Sequence, residues 1–385
     1  MAQVVCSDCA TVQGDWKDLT CAACGGPLEL RHDLRIATAK LEAFLDRDAG
    51  GPWRYPGLLA LAAAARPVSM GETATPLAAL TRWGARAGLS NARAKLENLS
   101  PTGSFKDRGS TVLVTELASQ GVETAVEDSS GNAGASIAAY CARAGIRAVV
   151  YAPASAPAAK LAQIEVYGAE LHRVAGTRED VAAAAREAAR APGARYASHN
   201  LHPHFAEGTK TFAFELYEQL GGRMPDHIVF PVGNGSLFLG TLRGMDELAA
   251  IGCEIEPALL HLAQSAACSP IAEAAISGSA EPEPVQPLPT IAGGIAIAKP
   301  SRGRQILRAL RRNGGAAAIV EERDAWRERN ELARLEGLFV EPTSAVAFAA
   351  TRKLRQTGVI GEYDLVVIPV TGSGLKDPDA RPPGG

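Results

Sequence analysis

Lys106 stands in the stretch LSPTGSFKDRGS (99–110), behind a Pro-Thr-Gly turn and an aromatic, with Asp107, Arg108 and Gly109 after it. A lysine amine becomes a nucleophile or a base once burial or neighbouring positive charge lowers its pKa. A plain surface lysine needs no such company. Three other loops follow apolar runs. EDSSGNAGASIAAY (127–140) sets Ser129, Ser130, Gly131 and Asn132 at the start of a helical pattern running to about Arg143. Free N–H groups there, up to Ala133, suit a carboxylate, and Asn132 can offer its amide to a ring oxygen. PVGNGSLFLG (231–240) carries Gly233, Asn234, Gly235, Ser236 and Leu237, a glycine nest of N–H donors suited to phosphate. It has neither the P-loop spacing nor the dinucleotide-binding spacing, which disfavours ATP and NAD. PVTGSGLKD (369–377) presents the Thr371 hydroxyl, which can meet a heteroaromatic nitrogen. Taken singly, each loop also reads as an ordinary cap or turn.

Cys6, Cys9, Cys21 and Cys24 form C-x2-C-x11-C-x2-C, a spacing that closes a tetrahedron around zinc and leaves no open catalytic position. Gly25-Gly26 supplies the tight turn such a knuckle needs. A redox pair, incidental thiols, or a ribbon that docks nucleic acid or a protein are the alternatives. Cys141, Cys253 and Cys268 read as core or surface thiols.

These residues need a scaffold to position them. At 385 residues the chain exceeds one hydrophobic core, so two domains are expected. Hydrophobic residues at 46% and charged ones at 21% exclude a mainly disordered chain, and a net charge of −3 gives no electrostatic case for nucleic acid or anionic membrane. The start, MAQVVCSDCA, lacks a basic region followed by an apolar run, and no stretch reaches membrane-spanning length, so a cytoplasmic protein is expected. Helical patterns run from Ile36 to about Asp46 and near Leu58 to Ala65. Beyond them RAVVYAP (147–153), HIVFPV (227–232) and DLVVIPV (364–370) alternate with Ala-rich amphipathic helices, which predicts βαβ units and largely parallel sheets. Ligands of such sheets gather at the carboxyl ends of the strands, where all three loops fall.

An aldehyde for lysine, a phosphate for the glycine nest, a ring oxygen for asparagine and a ring nitrogen for threonine together describe pyridoxal phosphate (PLP). The sequence also resembles a known family. MGETATPL (70–77) with KLENLSPTGSFKDRGS is similar to the threonine synthase signature of the fold-type II PLP enzymes. The likeness continues through WRYPGLL (53–59), SSGNAGASIAAY, EGTKTFAFEL (207–216), the glycine nest, VEPTSAVAF (340–348) and TGSGLKD. It implies an α/β fold of two open, mostly parallel domains with an N-terminal zinc ribbon. The expected limits are 1–30 for the ribbon, 31–69 for a helical connector, 70–110 with 201–376 for the large domain and 111–200 for a small mobile one. It further implies Lys106 as the Schiff-base lysine, Asn132 at the ring hydroxyl, 233–237 at the phosphate, Thr371 at the pyridine nitrogen, and a homodimer.

On the substrate side the pattern differs. Threonine synthases usually carry Thr-Ser after the asparagine and an N-P-x-R segment before E-G-x-K-T, both serving the phosphate of O-phosphohomoserine. This chain has Ala133-Gly134 and His202-Pro203-His204-Phe205. Phe205 cannot bind a phosphate dianion as an arginine fork does. His199, His202 and His204 read as exposed loop residues, as contacts to an altered substrate, or as a metal site; Lys210 can supply a second cation. Glu341 either lies at the cofactor's edge or caps a helix. The expected substrate is a small amino acid, bound by Ser129 to Ala133 with His202, Phe205 and Lys210. The expected reaction is PLP-dependent elimination or replacement, with true threonine synthesis or non-catalytic cofactor binding as alternatives.

Overall fold

The computed structural model describes residues 2–34, 40–156 and 158–381. Along the chain come β1 (Gln3–Cys6), β2 (Val12–Gln13), β3 (Leu28–Arg31), β4 (Leu77–Ala79), α1 (Thr81–Ala87) and β5 (Ala92–Lys95). Then follow α2 (Lys106–Ser119), β6 (Thr124–Glu127), α3 (Asn132–Ala144), β7 (Arg147–Pro153), α4 (Ala158–Val166), β8 (Glu170–Val174) and α5 (Arg178–Ala188). The next elements are β9 (Ala194–Tyr196), α6 (Pro203–Gln219), β10 (His227–Pro231), α7 (Ser236–Ala250), β11 (Leu259–Ser265) and α8 (Pro270–Ser277). The last are α9 (Gly303–Asn313), β12 (Ala317–Val320), α10 (Glu322–Glu336), α11 (Pro342–Gln356) and β13 (Val366–Pro369).

Two compact units emerge. The first comprises residues 1–74, 100–211 and 250–252, the second 75–99, 212–249 and 253–385. Residues 70–74, 100–110 and 201–211, expected beside the larger sheet, thus cluster with the smaller one, where α2 packs along α3.

In the first unit a four-stranded sheet has the order β8-β7-β6-β9, all pairs parallel. Its two inner strands, β6 and β7, are largely buried because inner parallel strands are covered on both faces, whereas the edge strand β8, ELHRV, is polar and partly exposed. Helix α5 opens on a capping box in which Thr177 Oγ1 accepts from the Asp180 N–H at 3.2 Å, and Asp180 Oδ2 accepts from the Thr177 N–H at 2.7 Å. Helix α3 closes on Gly145 at φ +70°, the left-handed turn that glycine adopts without strain.

The N-terminal three-stranded sheet, β2-β1-β3, is antiparallel. Its Trp16, Leu19 and Leu28 share one apolar cluster with Leu113, Leu117, Ile137 and Tyr140, so this small sheet is built into the core of the first unit. The expected helical connector is different. Residues 36–39 of its first pattern lie outside the described residues, and Leu41–Phe44, Gly51–Arg54 and Pro56–Leu58 form 3-10 turns instead of longer helix. Pro52 and Pro56 each remove a backbone donor, which limits helix growth. The connector is fastened to α2: Trp53 Nε1 donates to Thr111 Oγ1 at 3.0 Å, and the Val68 N–H to Thr115 Oγ1 at 2.8 Å.

In the second unit a six-stranded sheet has the order β12-β11-β10-β13-β5-β4, parallel except for the antiparallel β4–β5 pair. Its core joins Trp83, Phe348, Ile368 and Leu332. Buried Lys95 is paired with Glu215 and donates to the Thr75 carbonyl, so the charge at the end of β5 is compensated. No helix among the described residues is long and apolar enough to cross a membrane.

Phe205, 1% exposed on α6, lies flat over Gly109 of α2; a Cβ at Gly109 would meet its ring carbons at 2.5 and 2.6 Å. Gly109→Ala is therefore expected to destabilise the protein by about 1–3 kcal/mol through overpacking. Urea denaturation measures this, and the loss should shrink when Phe205→Leu is combined with it.

Candidate active site

The strand orders locate two crevices. From β6 the first sheet proceeds to β7 and β8 on one side, while β9 lies on the other; from β10 the second proceeds to β11 and β12, while β13 lies opposite. Open parallel sheets bind ligands at such switch points, outside the carboxyl ends of the strands. The loops after β6 and β9, and those after β10 and β13, carry most of the chemistry-bearing residues, while Lys106 follows β5.

In the first unit Lys106 is the first residue of α2 and is half-buried. The turn before it is closed by the Gly103 N–H to the Ser100 carbonyl at 2.8 Å, with Gly103 at φ +83°. Asp107, 1% exposed, accepts from the Thr102 N–H, Thr102 Oγ1 and Ser136 Oγ, each at 2.6 Å. Lys106 Nζ lies 4.7 Å from the centroid of the Phe105 ring and 5.7 Å from that of Phe205. Asn132 opens α3 behind half-buried Ser129, Ser130 and Gly131, while Ala133 is buried. A side chain at Gly134 would strike the Ser129 carbonyl oxygen, so the tight return of this loop requires glycine there.

His199, His202 and His204 are all buried, which removes the exposed-loop reading. The His202 and His204 rings lie 4.4 and 5.2 Å from Trp16. Lys210 is fully buried, 2.8 Å from Glu207 Oε2 and 3.1 Å from His32 Nε2. His199 belongs to a different group. Its Nδ1 lies 2.5 Å from Glu127 Oε1, and its N–H donates to Glu127 Oε2 at 3.2 Å. Beside them Arg178 donates to the Asp128 carbonyl at 2.7 Å, with a second nitrogen 3.4 Å from Asp128 Oδ2. Burial pushes the Glu127 carboxyl up to about 8. Burial, and then the charge of Lys106, holds His199 well below its ordinary range. Burial also raises Asp128, with Arg178 opposing. Glu127 and Asp128 belong to none of the motifs, although an acidic pair closing an apolar run is a visible signal.

In the second unit the glycine loop leaves β10 and enters α7 at Ser236. Gly235 has φ +71°, and a Cβ there would meet Ile306 at 2.6 Å; at Gly233 it would come within 3.2 Å of the Ile295 backbone. Two side-chain-free positions at a helix N-terminus make a cradle of N–H donors that fits a phosphate. The Asn234 carboxamide instead accepts from the Ser301 N–H at 3.2 Å, so it shapes the loop. Leu237 is buried beneath it. Thr371, buried at the end of β13, donates to Glu341 Oε1 at 2.9 Å and lies 2.8 Å from Ser344 Oγ. Ser344 in turn accepts from the Gly372 N–H at 3.2 Å. Its presence in VEPTSAVAF was readable, its partner was not.

The four N-terminal cysteines converge, with Cys6 and Cys24 Sγ 3.5 Å apart, Cys9 and Cys21 3.7 Å, and Cys9 and Cys24 3.4 Å. The Asp8 and Cys9 N–H groups face Cys6 Sγ at 3.3 and 3.5 Å.

Comparison with known proteins agrees with this chemistry. Residues 68–372 match the family described as pyridoxal-phosphate dependent enzyme. A threonine synthase of Methanosarcina acetivorans is 35% identical over 381 residues, which span 98% of this chain and 93% of that protein. One from Methanocaldococcus jannaschii is 36% identical over 359 residues, spanning 93% and 88%. The structure of maize serine racemase superposes with a TM-score of 0.66 at 22% identity, covering 78% of this chain and 88% of that one, a likeness of fold. The chain belongs to the pyridoxal-phosphate dependent enzyme family, as a threonine synthase-like lyase of fold type II.

Proposed function

We propose that the protein catalyses elimination or replacement of a side-chain substituent of an α-amino acid, in a site whose substrate-phosphate positions are altered. When bound, PLP supplies an electron sink that stabilises negative charge developing at the substrate Cα. The chain's own residues do the rest. Lys106 anchors the cofactor and, as a free amine, takes the Cα proton. The N–H groups and hydroxyls of Ser129 to Ala133 hold the substrate carboxylate at the start of α3, with the Asn132 amide turned to the ring oxygen. The Gly233–Leu237 cradle holds the phosphate, and Thr371, buttressed by Ser344 and Glu341, faces the ring nitrogen.

The observation that carries the altered substrate side is Phe205. Its buried ring lies 5.7 Å from Lys106 Nζ and presents carbon where a phosphate-binding arginine is the usual residue. A second reading, threonine formation from O-phosphohomoserine, is favoured by the likeness to threonine synthases over nearly the whole chain. His202 and Lys210, expected as substrate contacts, are engaged by Trp16 and Glu207. A homodimer, with closure of the 111–200 segment over the substrate, completes the reading.

A panel of amino acids scored for phosphate, ammonia and 2-oxo acid release separates the readings. Ammonia and 2-oxo acid from β-substituted substrates support elimination; robust phosphate release from O-phosphohomoserine overturns it in favour of threonine synthesis. A visible absorption band without any turnover leaves only cofactor binding. Lys106→Ala is expected to remove that band, to prevent borohydride from fixing a pyridoxyl group on the chain, and to lower turnover by at least about 10³-fold.

Gly235→Ala forces a side chain into the left-handed region against Ile306. A cost of about 1–2 kcal/mol corresponds to roughly tenfold weaker PLP retention, read by cofactor titration of the apoprotein.

The four cysteines are proposed to bind one structural zinc ion. Sulfur separations of 3.4 to 3.7 Å approach those of a tetrahedron with metal–sulfur distances of about 2.3 Å. Metal analysis should find about one zinc per chain. Because the sheet shares its core with α2 and α3, chelation should lower the thermal midpoint of the whole first unit.

A further inference from the structure

Glu127 and His199 stand outside every role given above, yet both lie at the switch point of the first sheet, beside the loop that begins with Ser129. They are 72 residues apart in the chain and meet because β9 pairs with β6. Phe205 ties them to the lysine: its ring lies 6.1 Å from the His199 ring and its centroid 5.7 Å from Lys106 Nζ. We propose that Glu127 and His199 form a proton relay that protonates the departing hydroxyl oxygen of a β-hydroxy-α-amino acid. This deepens the elimination reading and rests on it.

The geometry joins the two groups, and their burial sets the direction proposed for the relay. Both oxygens of the Glu127 carboxyl are engaged by His199, one at the backbone N–H and one at Nδ1, so the ring is held in a single orientation. Burial pushes the Glu127 carboxyl up to about 8 and holds the imidazole well below its ordinary range, so the shared proton is assigned to the carboxyl. With Nδ1 accepting from that carboxyl, the ring's own proton resides on Nε2. As the Cβ–O bond breaks, the electron pair leaves with oxygen and the Nε2 proton joins it, releasing water. The Glu127 proton moves to Nδ1, leaving a carboxylate and a neutral ring. Lys106, which has taken the Cα proton, is then an ammonium, so its new positive charge is matched by the new negative one. Return of that proton to Nε2, and of the Nδ1 proton to Glu127, restores both groups. Hydroxide is a poor leaving group and needs such an acid, whereas phosphate does not.

The groups facing the pair are Asp128 just after β6, Tyr196 from β9, Lys106 from α2, Cys141 from α3 and Arg178 from α5. The Arg178 guanidinium lies 3.4 Å from Asp128 Oδ2, and its charge opposes the rise that burial gives both carboxyl groups.

The test uses PLP-loaded protein with L-serine and L-threonine in deuterated water, following Cα proton exchange and 2-oxo acid formation separately. Glu127→Gln keeps a donor to Nδ1 but cannot surrender a proton. It should retain exchange while elimination falls by on the order of 10²–10³-fold. Wild-type elimination should decline as pH rises through about 8, where Glu127 ionises, and the variant should lack that limb. A second readout needs no turnover: infrared difference spectra of the apoprotein at neutral pH should contain a protonated carboxyl band that Glu127→Gln removes. Equal loss of exchange and elimination, unchanged elimination, or absence of that band overturns the relay. His199→Gln, which should behave like Glu127→Gln, decides the matter if the first variant does not fold. Wild-type protein that exchanges the Cα proton of both substrates yet eliminates from neither overturns the relay and leaves the PLP reading intact. Protein that does neither, and shows no visible band, overturns that reading as well.

Discussion

One buried carboxylate sets the geometry on which the first unit's chemistry depends. Asp107 is almost wholly removed from water and would cost several kcal/mol as a lone anion. It is held by the Thr102 N–H and hydroxyl and by Ser136 of α3, and it stands in the first turn of α2, where the helix dipole favours negative charge. Hydrogen bonds to a charged group contribute about 1.5–3 kcal/mol each, enough together to offset the burial. The turn before Lys106, the start of α2 and the first turns of α3 are thereby joined through one residue. Lys106 and Asn132 sit next to those anchors, so their backbones have little freedom to drift. The Thr-Gly turn and the aspartate that accompany the lysine are the means of holding it still.

Glycines complete the arrangement where backbone or ring must come close. Gly208 of α6 leaves room for the Arg108 carbonyl, and Gly109 of α2 for the Phe205 ring. The two helices therefore approach without side chains between them, and Phe205 is pressed toward Lys106. Gly134 does the same within the Ser129 loop. In a departure from the usual Thr-Ser pair, the glycine has a structural reason: a Cβ there would meet the Ser129 carbonyl.

Much of this was legible in the chain. The apolar runs 147–153, 227–232 and 364–370 do form parallel strands, because a strand covered on both faces must be apolar throughout. The loops that follow strands lie at carboxyl edges, as the α/β pattern demands. Less visible was which strands become neighbours. Strand β9 lies beside β6, not β8, and only that order brings His199 to Glu127. Likewise the His202 and His204 rings pack on Trp16, a partner some way back at the chain's start that periodicity cannot name. The connector misled because an Ala-rich stretch has helical propensity, whereas its prolines and its ties to Thr111 and Thr115 impose turns.

Electrostatics links these features to the lysine's proposed task. A free amine is needed to remove a proton, and a carboxylate nearby would favour the ammonium form instead. Two carboxyl groups, Glu127 and Asp128, nevertheless end the strand beside the Ser129 loop. Their surroundings differ: an Arg178 nitrogen lies 3.4 Å from Asp128 Oδ2, while Glu127 is buried against His199, and burial pushes its carboxyl up to about 8. The ring pressed over Gly109 adds no charge beside Lys106. An arginine in place of Phe205 would suit an anionic substrate, but it would also draw a proton away from Glu127. The apolar wall and the neutral acid are thus parts of one solution, in which the environment of Lys106 stays poised to gain a positive charge only when the substrate gives up its proton.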